Sequence, residues 1–134
     1  MVRYKHSLNA GLLRGLVALA RVREANLADL GLSYNDRCNF QKLRYWGLVE
    51  GCKRADGSPL LGSWRVTRLG LAWLCGDLKV PRSMWTYRGE PTSADGDRIT
   101  VDDVEPAYTT RPEWARLRES IRTDPGYGEP VAML

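Results

Sequence analysis

Residues 32–51 read LSYNDRCNFQKLRYWGLVEG. Ser33 at the N-cap and Asp36 three positions on make a capping box, in which the hydroxyl accepts one backbone N–H and the carboxylate reaches back to another. A helix over residues 34–46 follows, and Gly47 ends it. At about 100° per residue, Phe40 and Trp46 each fall about 60° from Leu43, so the three form a narrow apolar stripe. Arg37, Gln41, Arg44 and Tyr45 fall on the far side, with Cys38 among them and Lys42 on the flank. The helix therefore turns a thin seam toward the protein and a broad face of hydrogen-bond donors outward.

Working outward, Ser7 is expected to cap a first helix over residues 8–22, with Leu12, Leu13, Leu16, Leu19 and Ala20 on its apolar face. Gly11 and Gly15 cost helix propensity but let another element come close. Asn26 caps a short segment, LADLG, that stops at Gly31. After Gly47, LVEGCKR and SWRVT read as strands. The connection ADGSPLLG carries an Asp-Gly turn signal and is flanked by Lys53, Arg54 and Arg65. Thr67 caps a further helix, RLGLAWLCG, anchored by Trp73 and Leu74. Beyond Val80, SMWTYRG and DRITV read as strands, with EPTSADG as the turn between them. TRPEWARLRESIR reads as a helix with Pro112 in its first turn and Trp114, Leu117 and Ile121 in one stripe. The end, TDPGYGEPVAML, is expected to be disordered.

At 134 residues and 43% hydrophobic, the chain is one ordinary domain or a small domain with an extension. No run approaches the roughly 18 apolar residues of a membrane span. The basic start MVRYKHSLNAG lacks an apolar core and a cleavage site, so a cytoplasmic protein with no membrane partner is expected. Cys38, Cys52 and Cys75 are odd in number and far apart, and His6 is the lone histidine. That pattern suits reduced thiols, and no metal or other cofactor is expected. Charge divides by region. Residues 1–89 hold 15 Lys+Arg against 6 Asp+Glu, or +9, and residues 90–134 hold 5 against 10, or −5. A basic body suits a polyanionic partner, although charge alone is a weak signal.

The order is helix, short helix, polar helix, strand, basic loop, strand, helix. Together with SYND, KLRYWGLVE, ADG and WRVTRLG, it resembles a winged helix-turn-helix domain over residues 7–77. It resembles bacterial regulators of the broad MarR and PadR type, in which GLVE and a T-x-x-G after the wing recur. It is also similar to small winged-helix proteins carried by bacteriophages. The resemblance implies an α+β fold: a winged helix-turn-helix domain at 1–79 (three helices plus a β-hairpin wing), an extension at 80–122 of a β-hairpin and short helix, and a tail at 123–134. It implies that the polar helix is a recognition helix and that residues 54–62 are the wing. The expected DNA-binding residues are then Ser33, Tyr34 and Asn35 at the helix start, Arg37, Gln41, Lys42 and Arg44 along it, and Lys53, Arg54 and Arg65 at the wing. Arginine and glutamine suit guanine and adenine edges, and lysine suits phosphates. MarR-type and PadR-type proteins dimerise through longer terminal regions than this chain offers.

Two functions compete. One is a sequence-specific duplex DNA-binding protein, a small bacterial or phage transcriptional regulator acting by occlusion. The other is a protein-interaction module on the same scaffold, such as a phage protein that redirects a host complex. In the second, the acidic tail or its aromatic stripe makes the contact. Residues 80–122 suit either a homodimer or a host protein. The two readings separate on whether Arg37, Arg44 and Arg54 lie free or pack against residues 80–122. An enzyme is the least supported class: there is no phosphate loop, nucleophile elbow or paired acid motif. The adjacent Asp102 and Asp103 read as turn or helix-start residues. Lone groups such as Cys38 and His6 are more simply a solvated thiol and a terminal histidine without a ligand.

Overall fold

Strand β1 (Tyr4–Ser7) opens the computed structural model, which describes residues 2–127. It pairs antiparallel with β5 (Val80–Tyr87), from Tyr4 opposite Thr86 to Ser7 opposite Ser83. This pairing keeps the chain extended through Ser7, whose hydroxyl shares a 2.6 Å hydrogen bond with that of Ser83. Ser7 is therefore a strand residue, and Asn9 caps α1 (Ala10–Val22) by accepting the Leu12 N–H at 2.9 Å. The apolar face of α1 is as the sequence predicts: Leu12, Leu13, Leu16, Leu19 and Ala20 are buried. The close approach at its glycines is real. A Cβ on Gly15 would lie 2.9 Å from the Phe40 ring, and one on Gly11 would lie 3.0 Å from an Asp36 carboxylate oxygen.

A short strand β2 (Glu24–Asn26) leads into a 3₁₀ turn, Leu27–Asp29, capped by Asn26. Helix α2 (Tyr34–Asn39) then begins at Ser33, which accepts the Asp36 N–H at 3.2 Å. Half of the expected capping box forms. The Asp36 carboxylate turns instead to Arg14, taking its Nε–H at 2.8 Å and an Nη2–H at 3.1 Å. From Phe40–Trp46 the chain tightens into a 3₁₀ helix that ends at Gly47 (φ 75°). At about three residues per turn, positions i, i+3 and i+6 eclipse, so Phe40, Leu43 and Trp46 line up on one edge. All three are fully buried. The tightening also swings Tyr45 off the outer face expected of an α-helix and into the same column as Lys42. Tyr45 is buried, its ring centroid 5.1 Å from that of His6.

Strands β3 (Val49–Lys53) and β4 (Pro59–Val66) form a hairpin, with β2 on the other side of β4, in the order β2-β4-β3. The turn is shorter than the expected 54–62 loop: Arg54 donates its N–H to the Ser58 carbonyl at 2.8 Å. Residues up to Gly62 (φ 81°) belong to an irregular stretch of β4. Thr67 caps α3 (Arg68–Leu74), accepting the Gly70 N–H at 3.0 Å and donating to the Gly47 carbonyl at 2.6 Å.

The second sheet has the order β1-β5-β6, with β6 at Glu90–Ile99. Here the expected turn is displaced. The hairpin turns at Arg88 (φ 51°) and Gly89 (φ 77°), two left-handed residues as the tightest hairpin connection requires. EPTSADG lies inside β6. Its Asp95-Gly96 pair makes an irregularity in the register (Gly96 φ 79°) rather than a turn. Short helices α4 (Val101–Val104) and α5 (Pro106–Thr109) precede α6 (Pro112–Arg122). Thr100 and Asp103 form the capping box of α4, so Asp103 is a helix-start residue, and Asp102 sits in the same first turn.

One core cluster runs through the described residues. It joins Leu16, Phe40, Trp46 and Trp73 to Val80, Ile99, Val101, Trp114, Leu117 and Ile121. Two indoles tie the halves together: Trp46 Nε1–H donates to the Pro81 carbonyl at 2.8 Å, and Trp73 Nε1–H to that of Ile99 at 3.1 Å. The architecture is α+β, with six α-helices and two small sheets among the described residues. No helix there is long and apolar enough to cross a membrane. The expected disorder falls mostly on residues 128–134, outside the described residues. Within 123–127, Asp124 pairs with Arg23 at 2.6 Å and the Tyr127 hydroxyl bonds Asp77.

Candidate nucleic-acid interface

The polar helical segment carries two differently used flanks. Tyr34, Arg37, Cys38 and Gln41 stand at i, i+3, i+4 and i+7 and are all exposed. Tyr34 is 77% exposed. The side chains of Arg37 and Gln41 make no hydrogen bond or ion pair among the described residues, so their donors are open to solvent. The neighbouring Cys38 thiol raises the pKa of the exposed Tyr34 hydroxyl. The other flank carries Asn35, Asn39 and Lys42, with the Asn39 amide donating to the Asn35 carbonyl at 2.9 Å.

Two of the expected residues, Arg44 and Arg65, already have partners within the chain. Arg44 reaches toward the second sheet. Its Nη2–H donates to the Gly89 carbonyl at 2.6 Å, and Glu90 lies 3.7 Å from Nη1. The 3₁₀ twist puts Arg44 beside the β5–β6 turn, where it stacks 4.9 Å from the Tyr45 ring centroid. Arg65 lies on β4 between both neighbouring strands, 3.0 Å from Glu50 of β3 and 3.7 Å from Glu24 of β2. These cross-strand carboxylates occupy it. Lys53 and Arg54 do stand free at the hairpin turn, exposed and without an ion pair among the described residues. Ser33 spends its hydroxyl on the cap. The test posed by Arg37, Arg44 and Arg54 thus divides: two lie free, and one packs against residues 80–122.

The Arg14–Asp36 pair sets the local electrostatics. Asp36 is buried and would oppose any anion at the start of α2. The Arg14 hydrogen bonds hold its carboxyl below the ordinary value of 3.8, with the Ser33 hydroxyl helping. A depressed carboxylate pKa contributes stability above the ordinary value, and that stability is lost as pH falls through the folded value. Asp36→Asn is therefore expected to cost about 1–2 kcal/mol at pH 7, because Arg14 is half-exposed and screens part of the loss. The difference from the unaltered chain should shrink as the pH falls below about 4, which denaturant titrations at several pH values would check.

A group that sequence reading did not assemble lies beside this segment. Lys5 and His6 of β1, the cap residue Asn9, Arg14 of α1, and Asn35 and Lys42 line one polar cleft of about 390 Å³. No spacing in the sequence announces it, because the strand that supplies Lys5 and His6 is placed by pairing with β5, about 80 residues away. Trp114, Leu117 and Ile121, the stripe considered as a contact surface for another protein, are buried in the core instead.

The cysteines are free, Cys38 exposed and Cys52 and Cys75 buried. Burial, and then the hydrogen bond to Glu24, push the Cys52 thiol up. No cluster of three metal-ligating side chains occurs among the described residues.

Compared with known proteins, the chain matches no family model, no curated protein and no solved structure. Its function rests on its own residues.

Proposed function

We propose that this chain binds duplex DNA through a winged helix-turn-helix arrangement, as a small transcriptional regulator that acts by occlusion. The observation that carries the reading is the open face of Arg37 and Gln41 on a helix seated by a buried stripe. The free cations Lys53 and Arg54 stand at the hairpin turn that follows it. Several features support the winged-helix part: the path α1, β2, 3₁₀ turn, α2 with its 3₁₀ continuation, β3 and β4, and a three-stranded sheet in the order β2-β4-β3. A helix of this width fits the major groove, where arginine and glutamine discriminate guanine and adenine. The hairpin cations meet phosphates and carry little sequence information.

The roles divide accordingly. On a preferred sequence selected from a random duplex pool, Arg37→Ala should cost about 1–3 kcal/mol and relax one base preference. Arg54→Ala should weaken preferred and random duplexes alike. Arg65→Ala should weaken both duplexes less than Arg54→Ala does, because Glu50 and Glu24 already neutralise part of that side chain's charge. Fluorescence anisotropy on both duplexes checks all three. Equal losses for Arg37→Ala on both duplexes would remove the base-reading role.

One observation favours the protein-interaction alternative. Leu60 and Leu61 of β4 are exposed, Leu61 by 84%, beside the same hairpin turn. Leu61→Ser should leave DNA affinity unchanged if the cations do the binding.

A further inference from the structure

The cleft between β1 and the flank of α2 is walled by three different elements and holds about 390 Å³. Three cations, Lys5, Arg14 and Lys42, line it against one carboxylate, Asp36, which Arg14 already binds through two hydrogen bonds. Lys42 makes no hydrogen bond or ion pair among the described residues. Lys5 reaches the other face of β1 from His6, its Nζ 3.4 Å from Asp95 and 5.9 Å from the Trp85 ring centroid, so its ammonium is engaged away from Lys42. The cap bond to the Leu12 N–H engages Asn9 Oδ1 and leaves Asn9 Nδ2 as a free donor. His6 bonds Thr86 at 3.1 Å and stacks on Tyr45, so its ring is fixed at the cleft wall. The lining is rich in N–H donors and poor in apolar surface. That chemistry suits a compact oxyanion and does not suit an aromatic or aliphatic ligand.

We propose that this cleft seats a phosphate group, held by Lys42 with the side-chain amides of Asn9 and Asn35. The choice of a duplex backbone phosphate as its source rests on the DNA reading, since Asn35 and Lys42 flank the open Arg37–Gln41 face on the same helical segment. The cleft thereby adds a phosphate contact beside the Arg37–Gln41 face.

His6 is the single histidine in the chain, so its imidazole resonances report on the cleft without ambiguity. The experiment follows those resonances in the full chain as duplex DNA or inorganic phosphate is added. In parallel it measures duplex affinity against salt for the wild type, Lys42→Gln, Lys42→Arg and Asn35→Ala. If the seat takes a backbone phosphate, duplex moves the His6 resonances. Lys42→Gln then weakens every sequence alike and makes the slope of log K against log salt shallower by about 0.9, while Lys42→Arg keeps it. Asn35→Ala weakens binding without changing the slope. If inorganic phosphate moves His6 and duplex does not bind, the seat stands with a free phosphate as its occupant, and the DNA reading fails. If duplex binds while His6 is unmoved and Lys42→Gln matches the wild type, the cleft proposal is overturned and the DNA reading survives. If neither probe moves His6 and no duplex binds, both fall.

Discussion

Gly70→Ala is expected to destabilise the chain by about 3 kcal/mol or more. A Cβ there would sit 2.3 Å from the Leu48 carbonyl oxygen, and that oxygen is backbone already receiving the Thr67 N–H at 3.1 Å. Nothing flexible can yield, so α3 must move away from the start of β3. Overpacking of a rigid contact ranks among the larger single-residue effects. Gly51→Ala is the control, since a Cβ on Gly51 meets nothing within 4 Å. Urea midpoints for the two variants should therefore part widely, with Gly51→Ala near the parent. A Gly70→Ala variant as stable as the parent would contradict the close packing of α3 on the segment after Gly47.

Trp46→Ala should cost about 3–5 kcal/mol, the range for deleting a buried large aromatic side chain. Trp46 is fully buried, and its loss also leaves the Pro81 carbonyl without its donor. Trp46→Phe isolates that second part and should cost about 1 kcal/mol beyond any loss from the smaller ring. The site is informative because Trp46 ends the polar helical segment while Pro81 lies at the start of β5 in the second sheet. Calorimetry on the parent should show a single transition, because Val80, Ile99, Val101 and Ile121 share a core with Leu16 and Phe40. Two separable transitions, with Trp46→Ala shifting only one, would mean that residues 80–122 fold apart from the rest.

The elements that sequence reading located are those whose signals are local. Ser33, Asn26 and Thr67 cap the helices expected of them, because a cap needs only a hydroxyl or amide and the next three residues. The stripes Phe40, Leu43, Trp46 and Trp114, Leu117, Ile121 are buried because periodicity is a local property as well. What failed depended on partners distant in the chain. Ser7 is a sound N-cap residue, but β5 claims it. Asp95-Gly96 is a sound turn dipeptide, but strand pairing converts it to an irregularity, while Arg88-Gly89, without a recognised turn signature, makes the turn.

The same division governs the candidate site. Arg37, Gln41, Lys53 and Arg54 lie open, as expected of surface positions on a helix and a turn. Arg44 and Arg65 have the right residue type on the right elements, yet each meets carboxylates that only tertiary structure brings near. The shift from α to 3₁₀ at Phe40 is the physical cause for Arg44 and Tyr45. It turns a broad outward face into two columns, one of which leans on the second sheet. The cleft beside it has no sequence signature, since its residues come from β1, α1 and the segment around Phe40.

The most direct test is the affinity of the full chain for duplex DNA measured across a salt series. With Lys42, Lys53 and Arg54 as the cations that meet phosphates, log K should fall linearly with log salt, with a slope of about −3 at about −0.9 for each phosphate neutralised. Affinity that is absent at low salt, or that does not change with salt, would contradict the account.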